Sequence, residues 1–165
     1  MHSDIKRFRK RLAFSILFIL WGICFIHYLS SYAILAFNRT ASLNGYLYLV
    51  VKNPEEIHRG DLVAFYPPPN NPFNKNDEWF VKQVVGMAGD EIIVKDRIFF
   101  INNVELGKAK ESTLSGYELE ALPAGTISNN KYFVWTSHKD SFDSRYKLVG
   151  LIDEKDIFGT AYLLF

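Results

Sequence analysis

Only one cysteine, Cys24, occurs in the 165 residues, so no disulfide can form within the chain. Histidine is scarce as well, and the four imidazoles are scattered rather than set at metal-ligand spacing, so no metal site is expected. Glycine-rich phosphate loops are absent, no internal repeat appears, and no cofactor is expected. With a formal net charge of +1 and no basic stripe outside the N-terminus, nucleic acid is excluded as the main partner. The most telling absence is local. From Leu12 to Phe37 there is no Asp, Glu, Lys or Arg, and His27 is the only ionisable imidazole.

About twenty apolar residues span a bilayer, so this run is long enough to cross one with some tilt. Before it, residues 1–11 carry Lys6, Arg7, Arg9, Lys10 and Arg11 against Asp4 alone. That asymmetry places the N-terminus in the cytoplasm and everything after Phe37 outside it. Tyr28 and Tyr32 suit the outer interfacial belt, with His27 near the same level. A cleavable secretory signal would have an apolar core of about 7–15 residues ending at small side chains. This run is longer, and Ala33 and Ala36 are separated by two bulky residues, which favours an uncleaved anchor. The domains expected are 1–11 as a cytoplasmic basic segment, 12–37 as the transmembrane anchor and 38–165 as one extracytoplasmic domain.

Beyond the anchor, short apolar runs alternate with turn residues. Strands are expected over Tyr46–Lys52, Leu62–Phe65, Glu91–Lys95, Ile98–Ile101, Val104–Leu106, Lys131–Thr136 and Ile157–Leu164. Asn102-Asn103 is a tight-turn candidate. The proline-rich segment 66–72 reads as a semi-rigid surface loop. Periodicity fades from Gly107 to Asn130, which reads as an excursion from the domain. No long amphipathic helix is visible after the anchor. The fold class expected is mainly β, with packed or partly closed antiparallel sheets behind an N-terminal transmembrane helix.

One strand carries an unusual residue. In Trp79-Phe-Val-Lys-Gln-Val-Val-Gly-Met-Ala-Gly-Asp90, Lys82 shares a face with Phe80 and Val84. Two placements are open from this segment alone: an edge position with the ammonium in water, or a low-dielectric site in which the pKa falls. At a reference pKa near 10.4, about one lysine in a thousand is neutral near pH 7.4. Lowering that pKa by about two to three units costs the charged form roughly 3–4 kcal/mol and produces a usable general base.

Four segments in order then matter: Ser42 in a turn about five residues beyond the anchor, Arg59-Gly60-Asp61-Leu62-Val63, Lys82 followed by Gly86-Met87-Ala88-Gly89-Asp90, and Ser141-Phe142-Asp143-Ser144-Arg145-Tyr146. Together, behind an anchor, they resemble the type I signal peptidase family of membrane-anchored serine–lysine proteases, from roughly Leu12 to Phe165. The resemblance implies a signal-peptidase-like antiparallel β catalytic domain, with Ser42 as nucleophile and Lys82 as general base. It further implies that the Thr40 hydroxyl helps stabilise the oxyanion, that Ser141 orients the lysine, and that Asp143 and Arg145 form a bracing ion pair. Arg59, Gly60 and Asp61 read as structural, since Gly60 suits a turn.

The chain departs from housekeeping members of that family. Leu43 and Asn44 stand where Met and Pro are usual, Gln83 replaces a basic residue, Ala88 replaces a proline, and Ser137-His138-Lys139-Asp140 replaces a Gly-Asp-Asn-Arg opening. These features are more similar to the conjugative-transfer branch, which matures plasmid pilins and in some members joins the pilin ends into a ring. The function expected is therefore a serine endopeptidase maturing a pilin precursor on the outer face of a bacterial inner membrane. Its partners would be the bilayer, a membrane-bound pilin or preprotein and conjugation-apparatus proteins. A housekeeping signal peptidase and an inactive structural component of a secretion channel are the alternatives.

Overall fold

The uncharged run forms most of one helix. In the computed structural model, which describes residues 2–38, 42–68, 78–113 and 115–165, α1 spans His2–Tyr32. Its stretch Ile5–Tyr32 is 28 residues long and, by length and composition, apolar enough to cross a membrane. At 1.5 Å per residue that stretch covers about 42 Å. Near its end the Ser30 and Ser31 hydroxyls donate to the carbonyls of His27 and Tyr28, at 2.7 and 2.6 Å. Such side-chain bonds compete with the helical ladder. The helix stops at Tyr32, and the last five residues of the uncharged run form the strand β1 (Ala33–Phe37).

The remainder, Leu35–Phe165, is a second compact unit made mainly of strands. Its strands after β1 are β2 (Leu47–Lys52), β3 (Leu62–Phe65), β4 (Phe80–Gly86), β5 (Glu91–Lys95), β6 (Ile98–Ile101), β7 (Val104–Lys108), β8 (Gly125–Thr126), β9 (Lys131–Trp135), β10 (Ile152–Asp153) and β11 (Ile157–Leu163). They form a seven-stranded sheet, ordered β1-β2-β11-β3-β4-β9-β10, and a four-stranded sheet, ordered β7-β6-β5-β8. Pairing is antiparallel at every junction from β2 to β10 and throughout the smaller sheet. The mainly β, antiparallel class expected from the sequence is what the chain adopts.

Local chemistry explains the tight connections. Asp96-Arg97 and Asn102-Asn103 both place two successive residues at positive φ, from 48° to 69°, which is the two-residue hairpin geometry that matches strand twist. Gly60, at φ 98°, turns the chain into β3, where its N–H and the Asp61 carbonyl bond the Val84 carbonyl and N–H, each at 2.8 Å.

Two apolar cores result, and β9 serves both. Val134 packs with Val63, Phe65, Val84 and Ile157, while Phe133 on the other face packs with Phe99, Ile101, Leu119 and Ile127. The 107–130 stretch thus supplies Leu119 and Ile127 to the second core. On β4, burial alternates, with Lys82, Val84 and Gly86 all facing inward. That parity puts a lysine on the face whose next member, Val84, belongs to the first core.

Candidate active site

Lys82 sits in the middle of the large sheet, opposite Val63 of β3, one residue before the Gln83–Trp135 pair that joins β4 to β9. Only 6% of it is exposed, so its head does not reach water in the manner of an edge residue. The amine lies 5.9 Å from the centre of the Phe80 ring and donates to the Ser141 hydroxyl at 3.0 Å. Burial lowers its pKa from 10.5 to about 8; the Asp143 carboxylate draws it upward and the Arg145 guanidinium presses it further down. Desolvation therefore wins over charge pairing.

Ser141 is carried by the loop after β9, and that loop is built around a buried ion pair. Arg145 meets Asp143 through two bonds, Nε to Oδ1 at 2.8 Å and Nη2 to Oδ2 at 2.9 Å. Their side chains are 3% and 0% exposed. The same guanidinium donates to the carbonyls of Ser141 and Lys108, both at 3.4 Å, and stands over the Tyr146 ring. Ser144 ties the loop to β9: its hydroxyl accepts the Val134 N–H at 2.9 Å, and its own N–H donates to the Val134 carbonyl at 3.0 Å. From the smaller sheet side, the Lys110 N–H donates to the Tyr146 hydroxyl at 3.1 Å, and Lys110 pairs with Asp140. The loop is thus held from both sheets, and its ion pair gives each buried charge a partner.

Arg59 and Asp61 act on the architecture. Asp61 accepts the His58 N–H at 2.8 Å, and Arg59 bonds Asp90 at 2.6 Å. Asp90 also accepts the Met87 N–H and the Asn102 side-chain amide, both at 2.6 Å. Although burial alone would raise its pKa, these bonds hold the Asp90 carboxyl below the usual range. They pin the Gly86–Asp90 turn where it leaves the lysine strand.

Ser42, Lys82 and Ser141 all line one cavity of about 430 Å³, with Phe37, Leu43 and Phe80 among its apolar walls. Residues 38–46 separate β1 from β2; Thr40 lies outside the described residues. The structure therefore gathers Ser42, Lys82 and Ser141 at one cavity and puts Asp143 and Arg145 behind it. Two residues that sequence reasoning passed over belong here too. Asn38 and Tyr48 line the same cavity and bond the turn that follows Ser42. The one sequence signal for Asn38 is its position, the first polar residue after the uncharged run. Among the described residues no cluster of three or more His, Cys, Asp or Glu could hold a metal ion.

A hydroxyl, a buried amine of lowered pKa and an apolar-walled cavity are the parts of acyl transfer by a serine–lysine pair. Comparison with known proteins agrees. A family model described as "Signal peptidase, peptidase S26" matches residues 6–165. Signal peptidase I U of Bacillus subtilis (strain 168) is 31% identical over 119 residues, covering 66% of this chain and 58% of that protein. Signal peptidase I of Bacillus licheniformis is 31% identical over 131 residues, covering 73% of this chain and 65% of that protein. A crystal structure of a signal peptidase I from Enterococcus faecalis V583 aligns with a TM-score of 0.44 at 24% identity, covering 66% of this chain and 98% of that one. The chain thus spans less than two thirds of the length of these two curated relatives. With the family model matching nearly its whole length, this chain belongs to the signal peptidase, peptidase S26, family.

Proposed function

We propose that the chain is a membrane-anchored serine endopeptidase that cleaves a preprotein beside the bilayer, with Ser42 as nucleophile and Lys82 as general base. The observation that carries this reading is the buried Lys82 amine, its pKa lowered to about 8, at the same cavity as Ser42. In the neutral form its lone pair takes the Ser42 proton as Oγ attacks the scissile carbonyl carbon. The tetrahedral intermediate collapses, the C–N bond breaks, and the lysine returns the proton to the leaving amine. Water, deprotonated by the same lysine, then attacks the acyl carbon; the Oγ–C bond breaks, the lysine returns that proton to Ser42 Oγ, and the new C-terminus is freed. Ser141 fixes the amine through its 3.0 Å bond, and the Asp143–Arg145 pair braces the loop that presents Ser141. The Ser42 N–H and the Thr40 hydroxyl are assigned to the oxyanion; losing one such donor typically costs about 3–4 kcal/mol.

The domain plan extends this reading. Residues 1–11 are cytoplasmic, the helical part of the uncharged run, as far as Tyr32, holds the chain in the membrane, and the sheet domain, which takes Ala33–Phe37 of the expected anchor as its strand β1, works on the outer face of a bacterial inner membrane. The basic cluster from Lys6 to Arg11 supports that orientation. A nucleophile so close in sequence to an anchor suits a substrate that is itself membrane-held. The family name and the relatives' names support a signal-bearing preprotein as that substrate.

A narrower reading, maturation of a conjugative pilin precursor, is favoured by the departures at Leu43, Asn44, Gln83 and Ala88 and by the Ser141–Tyr146 wording. A membrane-held pilin would keep its own amine at high effective concentration near the acyl-enzyme, so ring closure could outrun water. The test is processing of an exported preprotein and of a pilin precursor by the full chain in detergent, alongside Ser42→Ala and Lys82→Ala. Both variants are expected to be inactive yet folded, and full processing by either sinks the pair. Intact mass of mature pilin separates the narrower reading, since a ring is one water lighter than the hydrolysed product.

A further inference from the structure

We propose that Asn38 is a positioning residue for the serine turn: its side-chain amide fixes the carbonyls that follow Ser42 and so sets where the Ser42 hydroxyl points. The inference rests on the serine reading above. Asn38 Nδ2 donates to the Leu43 carbonyl at 2.8 Å and to the Gly45 carbonyl at 2.9 Å. Its backbone N–H donates to the Tyr46 carbonyl at 2.9 Å. Between the two carbonyls that Asn38 holds, the Asn44 carbonyl accepts from the Tyr48 hydroxyl. Three successive carbonyls after the nucleophile are thus each held by a side chain from beside the turn.

The far end of the turn is equally constrained. Gly45 has φ 91°, and a Cβ there would overlap Leu163 Cδ1 and come within 2.9 Å of the Phe165 carbonyl oxygen. That oxygen accepts the N–H groups of Tyr46 and Leu47, at 2.6 and 3.0 Å. A turn held from outside in this way keeps its shape only while its holders remain.

The chemistry of the holder selects asparagine. One amide nitrogen carries two donors, which is what two carbonyls on either side require. A carboxylate has no donor and would set its charge against both oxygens. Alanine would leave the carbonyls to water and the turn free to move. Displacing a reacting atom by about 1 Å can cost about 100-fold in rate. Asn38 and Tyr48 also line the cavity, so a direct contact with substrate is the competing explanation, and the two differ in kinetics. Positioning acts on the chemical step and lowers kcat, whereas substrate contact raises KM.

The experiment uses the full chain in detergent with an exported preprotein, comparing Asn38→Ala, Asn38→Asp, Tyr48→Phe and Ser42→Ala. We expect Asn38→Ala and Asn38→Asp to lower kcat by about 30-fold or more, with KM within about three-fold of the parent. Tyr48→Phe, which removes a single hydroxyl, should lower kcat about three- to ten-fold. The pH at which activity rises should stay in place, because Lys82 and Ser141 lie on other elements. A raised KM with unchanged kcat, or a parental kcat in either Asn38 variant, overturns the proposal. If Asn38→Ala does not fold, Asn38→Asp decides, and a parental kcat there overturns it. An active Ser42→Ala would instead remove the serine reading, whereas an inactive Ser42→Ala beside a fully active Asn38→Ala removes only the brace.

Discussion

Replacing Lys82 with methionine measures, through folding, the penalty on which the proposed chemistry depends. The substitution keeps an unbranched apolar stem and deletes the amine. In the folded chain burial holds that amine at a pKa of about 8, against an ordinary 10.5. Between those two values the unfolded chain keeps a proton that the folded chain has released, so stability rises with pH across that window. Below it both states are protonated and the folded state bears the whole penalty, which the gap between 8 and 10.5 puts at about 3 kcal/mol. Above it the penalty is gone. The lost hydrogen bond to Ser141 returns about 1 kcal/mol to the parent. Lys82→Met should therefore be about 2 kcal/mol more stable than the parent near pH 7, with that advantage lost or reversed by about pH 10.5. Urea denaturation of the full chain in detergent, followed by tryptophan fluorescence at both pH values, reads the difference. The same burial leaves about one fifth of the lysine neutral near pH 7.4, so parental activity should rise along a limb centred near pH 8. A Lys82→Met chain no more stable than the parent near pH 7, or an advantage that does not change with pH, would refute the argument from desolvation.

Removing the Ser141 hydroxyl with Ser141→Ala should lower kcat by about five-fold with little change in KM, since the hydrogen bond that orients the neutral amine is worth about 1 kcal/mol; steady-state kinetics check this. Asp143→Ala strands the Arg145 guanidinium where it is only 3% exposed, and the loss of stability should be about 3–5 kcal/mol in urea melts. Gly45→Ala should reduce both stability and activity, because the added carbon meets Leu163 at a turn with φ 91°. Stability equal to the parent's would show that this turn relaxes freely.

Much of this protein was legible in its sequence because the physics involved is local. Charge-free composition marks the long apolar helix, and short apolar runs bounded by turn residues give β3, β5 and β6 to the residue. Asn102-Asn103 forms its turn because asparagine tolerates positive φ. Alternation alone puts Lys82 on the face of Val84. The strands that escaped notice are β1, hidden at the end of an apolar run, and β8 and β10, two residues each. Their identity comes from a partner far along the chain, which no local pattern records.

Tertiary structure decided the rest. The sequence left open whether the Lys82 head sits in water or in a low-dielectric site. Its placement depends on Ser141, 59 residues away, and on a loop fixed from both sheets by Arg145, Ser144 and Tyr146. Burial is a property of everything that surrounds an atom, so the amine's loss of water could not be read from β4 alone. The turn at Ser42 follows the same rule. Asn38 and Tyr48, which bond its carbonyls, are near it in sequence, but Phe165, whose oxygen accepts the Tyr46 and Leu47 N–H groups, is brought there only by folding.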